Sequence, residues 1–112
     1  MELAEAVEIV AKYLASKAVE MNNFGSVLPG YVNSDIKLEI SHDCTQEYNF
    51  GWVFFYNSDK YIKTGEYHDA LAGNAPLILD KESKEIIVTG TAHDVSYYVS
   101  NYVKTGDPNN EG

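Results

Sequence analysis

Four side chains in this sequence are the usual carriers of chemistry: Cys44 and three histidines, His42, His68 and His93. A thiol nucleophile needs a base held against it. His42 stands two residues from Cys44, but that spacing in a strand or loop does not bring imidazole onto sulfur, and no motif surrounds either residue. A lone cysteine of this kind reads as packed or half exposed. Metal binding needs several converging ligands. His68-Asp69 and His93-Asp94 are each a possible ligand pair, yet they come from distant segments, and His93 falls where a turn or cap is the better reading. Asp43 and Glu47 share one polar stretch that reads as a solvated loop rather than an acid–base pair. Gly65 and Gly73 are isolated, and nothing matches GxxxxGK[ST] or GxGxxG. The expectation is a protein with no catalytic residue, no metal and no cofactor.

The elements that position these residues follow from periodicity. Residues 3–20 predict an amphipathic helix with Leu3, Val7, Val10 and Leu14 on one face, ending near Asn22-Asn23 before the Pro29-Gly30 turn signal. In residues 36–41, Ile36, Leu38 and Ile40 alternate with polar side chains, the mark of a half-buried strand. Residues 42–49 read as a connection. Residues 50–56 (FGWVFFY) form the strongest strand, with Trp52, Phe54 and Tyr56 on one face and Val53 and Phe55 on the other, so a central position is expected. Residues 60–74 read as an irregular excursion, with a short strand near Tyr61-Ile62 as an option. Residues 76–80 and 85–89 predict a hairpin around Lys81–Lys84. A last helix spans Asp94 to Lys104, with Val95, Tyr98, Val99 and Tyr102 on one face and Gly106 as its stop. The fold class is α+β: an N-terminal helix, an antiparallel sheet of about four strands, and a C-terminal helix packed on one sheet face. A single domain is expected over 1–106, followed by a disordered tail over 107–112.

Composition narrows the function. The 112 residues carry 17 acidic and 8 basic side chains, a net charge of −9, and every basic residue is lysine. That balance argues against nucleic-acid binding and against an anionic membrane surface, and it would steer a basic protein toward the chain. The acidic N-terminus does not read as a signal peptide, and one cysteine allows no internal disulfide, so a cytoplasmic location is expected. Nine tyrosines suit a contact surface. The helices at the two chain ends can pack on one face of the sheet, which leaves the second apolar face of the central strand to be covered by the excursion, by a second copy or by a client protein.

The segment Gly51–Ser58, then Tyr61, then Leu71–Asp80, then Gly90-Thr91, resembles the YrhB-like immunity-protein family. Its pattern is W-x-F-x-Y-x-S, a later G-N-x-P leading into a hydrophobic strand and Asp, then G-T and a final aromatic helix, here carrying Tyr97, Tyr98 and Tyr102. One departure is Asp80-Lys81-Glu82-Ser83-Lys84, with lysine where the family's turn usually has glycine. The resemblance implies a bacterial protein that neutralises a toxin by binding it, or alternatively a chaperone-like holdase that acts without ATP. Either role implies a protein partner: a cognate toxin domain of basic character, met as a monomer or homodimer. On that reading the contact residues are the acidic Asp43, Glu47, Asp59, Glu66 and Asp69 with the aromatic Trp52 and Tyr56.

Overall fold

The computed structural model describes residues 1–26, 37–65 and 74–112, with the backbone alone over 21–26. The Pro29-Gly30 turn, Ile36, Glu66, His68-Asp69 and Gly73 lie outside the described residues. Within them run α1 (Leu3–Ser26), β1 (Leu38–Ile40), a 3-10 turn (His42–Cys44), β2 (Gln46–Tyr48), β3 (Gly51–Phe54), β4 (Tyr56–Ser58), α2 (Asp59–Thr64), β5 (Leu77–Asp80), β6 (Ile86–Val88) and α3 (Val95–Thr105). The protein is α+β, with a four-stranded antiparallel sheet ordered β2-β3-β5-β6 and a two-stranded one pairing β1 with β4.

β3 is central, as its two apolar faces require, and all four of its residues are buried. The pleat sends Trp52 and Phe54 to one side with Leu77 and Leu79 of β5, where Ala6, Val10 and Leu14 of α1 pack on them. Val53 and Ile78 go to the other side, against Val99 of α3. The two helices therefore take opposite faces of the main sheet. The second apolar row, for which the sequence left three possible covers, lies under α3.

The long aromatic strand expected over 50–56 is split at Phe55. β4 leaves the main sheet to pair with β1, Ile40 opposite Tyr56, and the ladder extends at both ends through Ser41 N–H to the Phe55 carbonyl and Asp59 N–H to the Lys37 carbonyl. Gly51 explains why β3 can lie so close to β5: its φ is +151°, and a Cβ there would sit 1.9 Å from the Leu79 carbonyl oxygen.

Four further differences have local causes. α1 runs six residues past Glu20, through the asparagines expected to stop it. Its buried seam includes Ala6 and Ala18 while Leu3 is 49% exposed, because alanines are too small to stand out in a periodicity read from large side chains. Residues 59–64 form a helix, not a strand: the Ser58 hydroxyl accepts the Tyr61 N–H at 3.1 Å, and Gly65 ends it at φ 70°. Residues 107–112 turn back on α3, with Pro108 fully buried and its carbonyl accepting from the buried Asn101 amide at 3.0 Å.

The β5–β6 turn accounts for the departure at Lys84. This residue takes φ +61°, the left-handed conformation for which glycine is suited, and is the one non-glycine residue at positive φ among those described. The Asp80 carboxylate compensates by accepting the N–H groups of Glu82 at 2.8 Å and Ser83 at 3.1 Å. Lys84 also reaches Glu5 of α1 at 3.1 Å, an exposed pair of small energetic weight.

Candidate interaction surfaces

The sequence-assigned residues do not form one patch. Trp52 and Tyr56 are 3% and 5% exposed and belong to the core under α1. Burial raises the Tyr56 phenol above its ordinary value, with Tyr13 adding to the effect. Trp52 touches the surface through Lys81, whose Nζ lies 5.2 Å from the ring centroid. That lysine also stands 3.8 Å from Glu47, which is directly across the ladder from Trp52, so register alone assembles the trio.

Asp43 is exposed on the 3-10 turn and lines a cleft of about 500 Å³ between that turn and α2. Glu39, Ser41, His42, Cys44 and Tyr61 line the same cleft. Glu39 was not singled out from sequence, because it is merely the polar position of an alternating strand. His42 and Cys44 thus share a cleft, while among the described residues no three His, Cys, Asp or Glu side chains converge as a metal site would need. Asp59 begins α2 and is not among the residues that line this cleft. His93 stacks on Tyr97 with ring centroids 4.0 Å apart, and its N–H donates to the Tyr98 hydroxyl at 3.2 Å, a structural use at the head of α3. Gly90 leaves the room for that hydroxyl, which would lie 2.6 Å from a Cβ there.

An apolar groove of about 330 Å³ lies between β2 and α3, lined by Tyr48, Asn49, Phe50, Tyr102 and Val103. Tyr48 and Phe50 stack with centroids 5.2 Å apart and planes 5° from parallel; Phe50 meets Tyr102 edge-on at 5.0 Å. The Tyr102 hydroxyl donates to Asp80 at 2.6 Å. Burial, then that bond, pushes the Tyr102 phenol up to about 12. The same bond, with the N–H groups of the turn, holds the Asp80 carboxyl below its ordinary range. Sequence pattern assigned Tyr102 to the core face of α3 but gave no sign of Tyr48, because β2 is three residues long and polar at two of them.

The G-N-x-P segment is structural at its described positions. The Asn74 amide donates to the Tyr56 carbonyl at 2.6 Å, Ala75 is buried, and the Pro76 carbonyl accepts both the N–H and hydroxyl of Thr89. These bonds fix where the chain enters β5 and tie the two sheets together.

No helix among the described residues is long and apolar enough to cross a membrane. No solved structure matches the chain. The uncharacterized protein YrhB of Escherichia coli (strain K12) is 42% identical over 52 residues, a match covering 46% of this chain and 55% of that relative. Residues 4–104 match the family described as immunity protein 35, and over that span, which runs from α1 through all but the last residue of α3, the chain belongs to the immunity protein 35 family.

Proposed function

We propose that this chain is an immunity protein acting in the bacterial cytoplasm, neutralising a cognate toxin by binding it rather than by catalysis. The observation that carries the reading is family membership across residues 4–104. Charge supports it: a −9 surface attracts a basic toxin domain from a distance and sets its orientation. Asp43, Glu47 and Asp59 supply that field from three separate elements, with Glu66 and Asp69 assigned the same role. Trp52 and Tyr56 act from within the core, holding the two sheets around which the acidic residues are arranged.

The test is a stopped-flow measurement of association with the toxin domain across a salt series. Raising salt from about 0.05 to 0.5 M should slow association at least about tenfold. A salt-insensitive rate removes electrostatic steering, and no complex removes the reading. Suppressed aggregation of unrelated proteins, without one tight partner, would fit a holdase instead.

A further inference from the structure

The groove between β2 and α3 has an unusual balance of chemistry. Its walls are ring surfaces, the stacked Tyr48 and Phe50 and the edge-on Tyr102, and its rim is Val103, 68% exposed. Ring faces carry negative potential and attract cations. A carboxylate adjoins them: Asp80 accepts the Tyr102 hydroxyl at 2.6 Å. Among the described residues, no lysine lines the groove. Lys81 is held on the opposite face of the sheet by Glu47 and Trp52, Lys84 pairs with Glu5, and Lys104 lines a separate cleft with Tyr97 and Glu111.

In the trio of Glu47, Lys81 and Trp52 this chain sets an ammonium near the ring of a largely buried tryptophan and beside a carboxylate. The groove offers rings of the same kind, one of them with its hydroxyl bonded to the Asp80 carboxylate, and among the described residues no lysine lines it. We propose that this groove receives an arginine or lysine side chain from the protein partner, the ring faces holding the cation and Val103 packing against its stem. The inference rests on the toxin-binding reading and names where the basic partner is gripped. A second copy of this chain is the poorer occupant, since each copy carries −9.

The test begins without any toxin. Uniformly 15N-labelled protein is titrated with Ac-Gly-Arg-Gly-NH2 and with the same peptide carrying citrulline, at about 50 mM salt, where screening is weak. Shifts should concentrate at Tyr48, Phe50, Tyr102 and Val103 with the arginine peptide, and citrulline should bind at least about fivefold more weakly. Val103→Lys puts a like charge at an exposed position and should weaken peptide binding about tenfold with the melting temperature unchanged. Tyr48→Leu removes a ring but keeps bulk, and should weaken it similarly. Shifts spread over the surface or centred on the Glu39–Cys44 cleft overturn the inference, as does equal affinity for citrulline. A dimer of the wild type that dissociates on Val103→Lys also overturns it, since a second copy then fills the groove. With the toxin in hand, a Val103→Lys complex as tight as the wild type overturns the groove but leaves toxin binding standing. Intact peptide shifts with no toxin complex overturn the toxin reading alone.

Discussion

Replacing Tyr102 by Phe removes one hydroxyl and leaves the ring against Phe50. The lost interaction is a 2.6 Å bond to a carboxylate that also organises the β5–β6 turn. Hydrogen bonds to charged groups contribute about 1.5–3 kcal/mol when shielded; this one is only part-buried, so solvent screening reduces the expected loss to about 1 kcal/mol. The pH profile identifies the source. The Asp80 carboxyl is lowered on folding, so its contribution is present above its unfolded value, about 3.9, and is lost as pH falls through the still lower folded one. The Tyr102 phenol is raised to about 12, so its contribution is complete below its unfolded value of about 10 and is lost as pH rises toward 12. Urea unfolding of wild type and Tyr102→Phe should therefore give curves separated by a constant gap from about pH 5 to 9, closing at both extremes. A gap below about 0.3 kcal/mol at pH 7, or one that persists unchanged at pH 2, would refute the bond's assigned role.

Three other perturbations probe the frame. Gly51→Ala forces a methyl onto the Leu79 carbonyl at a φ of +151°, and should cost more than about 3 kcal/mol in urea unfolding; a loss under about 1 kcal/mol would mean β3 and β5 are not so close. Lys84→Gly relieves the left-handed strain at φ +61° but gives up the Glu5 pair and some chain stiffness, for a net gain of about 0.5 kcal/mol by the same assay; a loss would contradict the strain. Deleting residues 107–112 strips Pro108 from its site and leaves the Asn101 amide without its acceptor, so the melting point should fall by the equivalent of about 1–2 kcal/mol; an unchanged melting point would show that the tail adds nothing.

Much of the fold was legible because both faces of β3 speak at once. The apolar run that begins at Phe50 marks a strand buried on both faces, and the 77–80 strand carries the same two-sided pattern. What sequence could not show was which face each helix takes, since an amphipathic stripe records only that a face is buried, not by what. The split at Phe55 was equally silent: both halves have strand-like residues, and the change of partner is a tertiary event. β2 and α2 escaped notice because one is three residues long and the other six, too short for periodicity to register. The candidate contact residues fared unevenly for a physical reason. Acidic positions in loops were expected at the surface, and Asp43 and Glu47 are there, whereas Trp52 and Tyr56 in an apolar strand were as apt for core as for contact, and the structure places them in the core. Tyr48 and Tyr102 meet only through the fold, Tyr102 touching Phe50 and Phe50 stacking on Tyr48.

If this chain neutralises a toxin by holding it, the two must form a stable complex. Purified chain and a candidate toxin domain, mixed and run through size-exclusion chromatography with light scattering, test this most directly. One peak containing both chains in fixed stoichiometry is expected, with toxin activity lost in that peak. Two separate peaks, with the toxin still active in the presence of excess chain, would contradict it.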